Sequence, residues 1–169
     1  MNDIRSAPAI VVMGVAGCGK TAVGEALAKE LRAIFIEGDR LHPPENVARM
    51  ARGEPLTDAL REGWLDAIGG RIAAAVADGQ KAVAACSALK RSYRDRLRGF
   101  CPGVVFLYLK IDRETAWRRV ARRKGHFMPA SLVDSQFATL EEPGLGEPAV
   151  TADATRTVTG IVKDALAKR

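Results

Sequence analysis

Apolar and polar positions along this chain fall into short blocks whose period keeps switching between strand and helix. Ala9-Ile10-Val11-Val12-Met13 is an unbroken apolar run of strand length, and after a glycine-rich stretch a helical run follows from Thr21 to Leu31. Ile34-Phe35-Ile36 reads as a second buried strand that ends in Glu37-Gly38-Asp39. Pro44 suits the first turn of a helix, which would carry Val47 and Met50 inward and stop at Gly53. Thr57 or Asp58 can cap the next helix, which runs to about Ala77. Leu60, Trp64, Leu65, Ile68, Ile72 and Val76 form its apolar stripe, while the Gly69-Gly70 pair weakens the case for an uninterrupted helix.

Ala82 to Cys86 is a third strand, Ser87 to Lys90 its outgoing loop, and Arg91 to Arg98 a short basic helix. Val104 to Ile111 is a long apolar strand. Arg113 to Lys124 is helical until Gly125 breaks it, and Ser131 to Leu140 is helical again. A loop from Glu141 to Pro148 leads to a last strand, Ala149 to Thr151, and a closing helix, Thr155 to Lys168. Five short strands alternating with helices predict an α/β fold with a five-stranded parallel sheet and helices on both faces. Residues 1–169 read as one domain, with no repeat or linker. Ligands in such folds sit at the carboxyl ends of the strands. That rule places the glycine-rich stretch, Asp39, Ser87 and the Asp112 region on one rim.

The glycine-rich stretch is Gly14-Val15-Ala16-Gly17-Cys18-Gly19-Lys20-Thr21, and it fits the P-loop pattern G-x-x-x-x-G-K-[ST] without mismatch. Its glycines allow backbone N–H groups to turn inward around phosphate oxygens at a helix N-terminus. Lys20 would reach the β- and γ-phosphates of ATP, and the Thr21 hydroxyl would hold Mg²⁺. Cys18 lies inside this loop beside Lys20, which raises the expectation of a reactive thiol shielded by bound nucleotide.

Composition narrows the class. Hydrophobic residues at 47% and charged residues at 27% are ordinary for a soluble domain. No apolar run is long enough to span a bilayer, and the first eight residues lack the apolar core of a signal peptide. Three widely spaced cysteines, Cys18, Cys86 and Cys101, fit free thiols in a reducing cytoplasm. The net charge of +6 concentrates in Lys90 to Arg98 and Arg113 to Lys124, which read mainly as solvated helix faces. Aromatics make up 5% and do not interleave with the basic residues, so nucleic acid is not expected as a partner.

The stretches EGDRLHPPENVARM, GEPLTD, ACSALKRSYRDRLR and RRKGHFMPASLVDSQFATLEEP closely resemble the gluconokinases, small P-loop kinases akin to shikimate and nucleoside monophosphate kinases. The resemblance runs from about Ile10 to Thr159. It implies ATP-dependent, Mg²⁺-assisted phosphorylation of D-gluconate to 6-phosphogluconate by a homodimer. It also implies a mobile lid at about 120–135, hinged at Gly125, and a substrate-binding helical region at about 40–78.

Within that family frame Asp39 contacts the acceptor hydroxyl and holds Mg²⁺ through water. Glu37 stands where relatives often have Asp. His42 and His126 lie in family-specific segments and suit recognition of a polyol, since an imidazole can donate or accept a hydrogen bond. Arg61 is the candidate for the gluconate carboxylate, because a guanidinium can bind it bidentately. The family pattern around it is LTDxDR, and this chain departs from it with Leu60. Arg49, Lys90, Ser87 and Gln136 are further substrate-binding candidates. Arg119 is assigned to the adenine and Arg123 to charge on the transferring phosphoryl group. Asp153-Ala154-Thr155 would border the adenine with backbone groups. Trp64 and Trp117 read as core or interface. Two alternatives stay open on the residues themselves: a kinase for shikimate or another small acid, and an ATP-binding regulatory module without catalysis.

Overall fold

The computed structural model describes residues 2–123, 129 and 131–168. Its strands are β1 (Ala9–Met13), β2 (Ile34–Glu37), β3 (Ala82–Ala85), β4 (Val105–Lys110) and β5 (Ala149–Asp153). They form one parallel sheet in the order β2-β3-β1-β4-β5. The central strand β1 is buried throughout, which is why its sequence is apolar without alternation. Register aligns the carboxyl ends: Val12 sits opposite Ala85 on one side and Leu107 on the other, and Glu37 sits opposite Ala85. The chain leaves β1 toward β2 and β4 toward β5, in opposite directions, so a crevice opens at that rim.

The helices are α1 (Lys20–Leu31), α2 (Pro44–Ala51), α3 (Asp58–Ala77), α4 (Arg91–Phe100), α5 (Arg113–Arg122), α6 (Leu132–Thr139) and α7 (Val158–Ala167), with a 3-10 turn at Gly38–Leu41. The five-stranded parallel α/β architecture expected from the pattern is therefore present. Helix α3 runs unbroken through Gly69-Gly70. A Cβ at Gly69 would lie 2.3 Å from the Phe100 ring, so the missing side chain lets α4 close on α3. On α2, Asn46 and Met50 are buried and Val47 is only half-buried. Helix α7 starts later than Thr155. The Asp153 carboxylate accepts from the Thr155 amide at 2.9 Å and hydroxyl at 2.7 Å, forming a turn, and Thr157 then caps the helix at the Gly160 amide.

An ion pair is sealed in this core. Arg94, 1% exposed, donates from Nε and Nη2 to the two carboxylate oxygens of Glu147 at 3.0 and 3.2 Å. Its Nη1 donates to the carbonyls of Ala88 and Leu89 at 2.9 and 3.1 Å. Ala88 is held in a left-handed conformation, φ +44°. The pair thus fixes the loop after β3, which carries Ser87 on the functional rim. Not all of the basic stretch Lys90 to Arg98 is a solvated face.

Candidate active site

The P-loop begins where β1 ends and closes onto the N-terminus of α1. Gly14, Gly17 and Gly19 adopt φ of +146°, +87° and +95°, which side chains resist. A Cβ at Gly17 would meet the Ala116 carbonyl at 2.8 Å, so α5 packs directly on the loop. The Lys20 ammonium spans the loop, donating to the carbonyls of Gly14 and Val15 at 3.1 Å each. The Ala16 amide donates to Gln136 Oε1 at 2.6 Å. Gln136 therefore ties α6 to the phosphate loop while also lining the pocket beside it.

The Thr21 hydroxyl donates to Glu37 Oε2 at 2.5 Å, and Glu37 Oε1 accepts from the Asp39 amide at 3.3 Å. A hydroxyl and a carboxylate at the mouth of a phosphate loop are hard oxygen donors of the kind Mg²⁺ takes alongside substrate phosphates. This donor set brings in Glu37, whose place on β2 the sequence showed but whose partner it did not.

A pocket opens next to the loop. Lys20, Asp39, His42, Arg61, Ser87, Arg123 and Gln136 line it, with Ala16, Met50, Leu56 and Trp64. It brings Asp39, from the turn after β2, into one space with Ser87, from the loop after β3. His42 stacks on Trp64 with ring centroids 4.1 Å apart and planes 13° apart. The Trp64 indole donates to the Gly38 carbonyl at 2.8 Å. Trp64 is thus both core and pocket wall, and it fixes the turn that presents Asp39. Burial pulls the His42 pKa down to about 4, against the raising influence of Asp39 and with a smaller lowering push from Arg61. The imidazole is therefore neutral near pH 7. Its Nδ1 lies 3.4 Å from the buried amide nitrogen of Asn46, which also donates to the Leu60 carbonyl at 3.1 Å.

Arg61 reaches the pocket from α3 and donates to the Tyr93 hydroxyl at 2.8 Å. Leu60, the departure from the family pattern, packs against a small cluster of Met50, Leu56 and Leu132 that joins α2, α3 and α6. Among the described residues, two candidates do not line the pocket. Arg49 pairs with Glu54 at 3.7 Å, and Lys90 pairs with Asp58 at 3.1 Å, because salt bridges turn both chains along the surface. Arg119 donates to the Gly17 carbonyl at 3.3 Å and to the Ala154 carbonyl at 3.0 Å, bridging the P-loop to the loop after β5. Gly125 and His126 lie outside the described residues. Cys18 is 1% exposed, and a Cβ on Gly14 would touch its sulfur at 2.8 Å, so the thiol points under the loop rather than out of it.

A P-loop at the end of the central strand of a five-stranded parallel sheet, with an acidic residue facing it across a pocket, defines a P-loop kinase. A family described as an AAA domain matches residues 10–143. A gluconokinase from Gluconobacter oxydans (strain 621H) is 50% identical over 141 residues, covering 83% of this chain and 79% of that protein. The thermoresistant gluconokinase of Escherichia coli (strain K12) is 41% identical, covering 92% of this chain and 90% of its own length. The crystal structure of a gluconokinase from Sinorhizobium meliloti 1021 superposes with a TM-score of 0.84 at 48% identity, covering 94% of this chain and 89% of that one. The chain belongs to the gluconokinase family.

Proposed function

We propose that this chain transfers the γ-phosphoryl group of ATP to the 6-hydroxyl of D-gluconate. The observation that carries the reading is the convergence of Lys20, Asp39, His42 and Arg61 on one pocket beside the P-loop, in a member of the gluconokinase family. Lys20 and the glycine-rich turn at the N-terminus of α1 suit the nucleotide phosphates. Arg119 and the backbone at Ala154 border the place for adenine. Thr21 and Glu37 would hold Mg²⁺, with Asp39 reached through water, and the ion would supply neutralisation of phosphate charge.

At the acceptor side the Arg61 guanidinium suits the gluconate carboxylate. His42, neutral and stacked on Trp64, suits a hydroxyl, and Ser87 adds a second small polar contact. Gln136 holds the P-loop at Ala16 and borders the same space. Asp39 orients the acceptor hydroxyl and takes its proton. The hydroxyl oxygen forms its bond to the γ-phosphorus as the bond to the ADP oxygen breaks. Arg123, which lines the pocket, would meet the charge on the transferred group. Phosphoryl transfer needs little covalent help, so positioning and charge dominate. The resemblance and the cysteine usage support a cytoplasmic homodimer acting on a small molecule, without a nucleic-acid partner. Among the described residues no helix is long and apolar enough to cross a membrane.

Asp39→Asn tests the reading. Turnover should fall by about 10²–10⁴-fold while ATP affinity, followed by fluorescent-nucleotide titration, changes little. Near-normal turnover in this variant would remove Asp39 from the chemistry.

A further inference from the structure

Among the described residues, Arg61 does not meet a carboxylate directly. Its Nη1 donates to the Tyr93 hydroxyl, that hydroxyl donates to Asp58, and Asp58 in turn accepts from Lys90 at 3.1 and 3.3 Å. The guanidinium carbon also lies 5.4 Å from the centroid of the Tyr93 ring. A phenol has one proton to give. Because it goes to Asp58, the oxygen is left to accept from Arg61, and the direction of the chain is fixed. Tyr93 is 5% exposed, so its ring cannot swing away.

The order matters for charge. Asp58 and Arg61 are three apart on α3, a spacing at which an acid and a guanidinium ordinarily pair. A direct pair would occupy two of the guanidinium's donors and neutralise it before any substrate arrived. The inserted hydroxyl takes one donor, holds the group by a dipole and a ring face, and keeps it from a direct, bidentate pair with Asp58.

We propose that Tyr93 is the positioning residue that makes the acceptor pocket select an acid over the corresponding neutral polyol. It does so by keeping Arg61 oriented and out of reach of Asp58. This rests on the gluconate reading of the pocket.

The test compares gluconate with glucitol, its neutral alcohol counterpart, as acceptors for the purified full chain. Tyr93→Phe keeps the ring and removes the hydroxyl. The expected result is a gluconate KM raised about tenfold or more, as for loss of a hydrogen bond to a charged group, with kcat and the ATP KM within about twofold. The preference for gluconate over glucitol should fall by the same factor. Adding Asp58→Ala to Tyr93→Phe should recover part of the gluconate KM, because the competing carboxylate is gone. An unchanged gluconate KM, or equal losses for ATP and both acceptors, would overturn the proposal. If Tyr93→Phe does not fold, Asp58→Ala alone carries the test. Freed of its acceptor, the phenol loses its fixed direction, and the gluconate KM should rise by about threefold with the ATP KM unmoved. No change in the gluconate KM there would count against it equally. Failure of the underlying reading looks different: the unmodified protein would not turn over gluconate at all.

Discussion

Glu147→Gln should be among the most destabilising single changes in this protein. The carboxylate is 3% exposed and receives three hydrogen bonds, two from Arg94 and one at 2.7 Å from the Gly144 amide. Glutamine keeps the volume but turns an NH₂ toward the guanidinium donors and leaves the buried Arg94 charge uncompensated. Removing one partner of a buried ion pair costs about 3–5 kcal/mol. With a urea m-value of about 2 kcal/mol/M, the unfolding midpoint should drop by roughly 1.5–2.5 M. The same loss lowers Tm by roughly 6–20 °C for a chain of this size.

The pH dependence of that pair has a definite sign. Burial alone would raise the Glu147 pKa, but the Arg94 hydrogen bonds and the Gly144 amide outweigh it and the net value is lowered. A carboxylate with a depressed folded pKa contributes stability above its unfolded pKa, about 4.3, and loses that contribution as pH falls through the folded value. The gap between wild type and Glu147→Gln, read by urea titration, should therefore be full at pH 7 and narrow below about pH 4. Arg94→Met with Glu147→Leu should recover only part of the loss: it removes the uncompensated charge, but it leaves the Ala88 and Leu89 carbonyls and the Gly144 amide without their partners. A Glu147→Gln midpoint within about 0.5 M of wild type at pH 7 would refute the reasoning.

The other predictions concern the pocket and its loop. His42 is held at about 4 against an ordinary 6.5, so between those values the unfolded chain binds a proton that the folded chain does not. Stability should fall as pH drops from about 6.5 toward 4, and His42→Gln should flatten that slope in denaturation series. Cys18 lies beneath the P-loop, so iodoacetamide should leave activity intact with or without ATP. Inactivation that ATP prevents, with the adduct mapped to Cys18, would contradict this placement.

The sheet and the phosphate loop were open to reading because they rest on local pattern. Apolar runs of strand length and a fixed glycine spacing are properties of neighbouring residues, and Asp39 followed from its place at a strand end. What stayed hidden depends on residues far apart in the chain. Nothing near Arg94 marks it as buried, since its partner Glu147 lies 53 positions on. Gly69 breaks no helix, because its missing side chain serves Phe100. Trp64 reads as core by its spacing, and only the fold shows that its ring also walls the pocket beside His42. Arg49 and Lys90 had suitable charge and neighbourhood, but acidic side chains on the surface hold them elsewhere.

A substrate panel with the purified chain shows whether gluconate is the phosphate acceptor. With ATP and Mg²⁺, millimolar gluconate should release ADP, and phosphorus NMR should place the new ester on the 6-hydroxyl. Turnover of shikimate, with none of gluconate, would contradict the account.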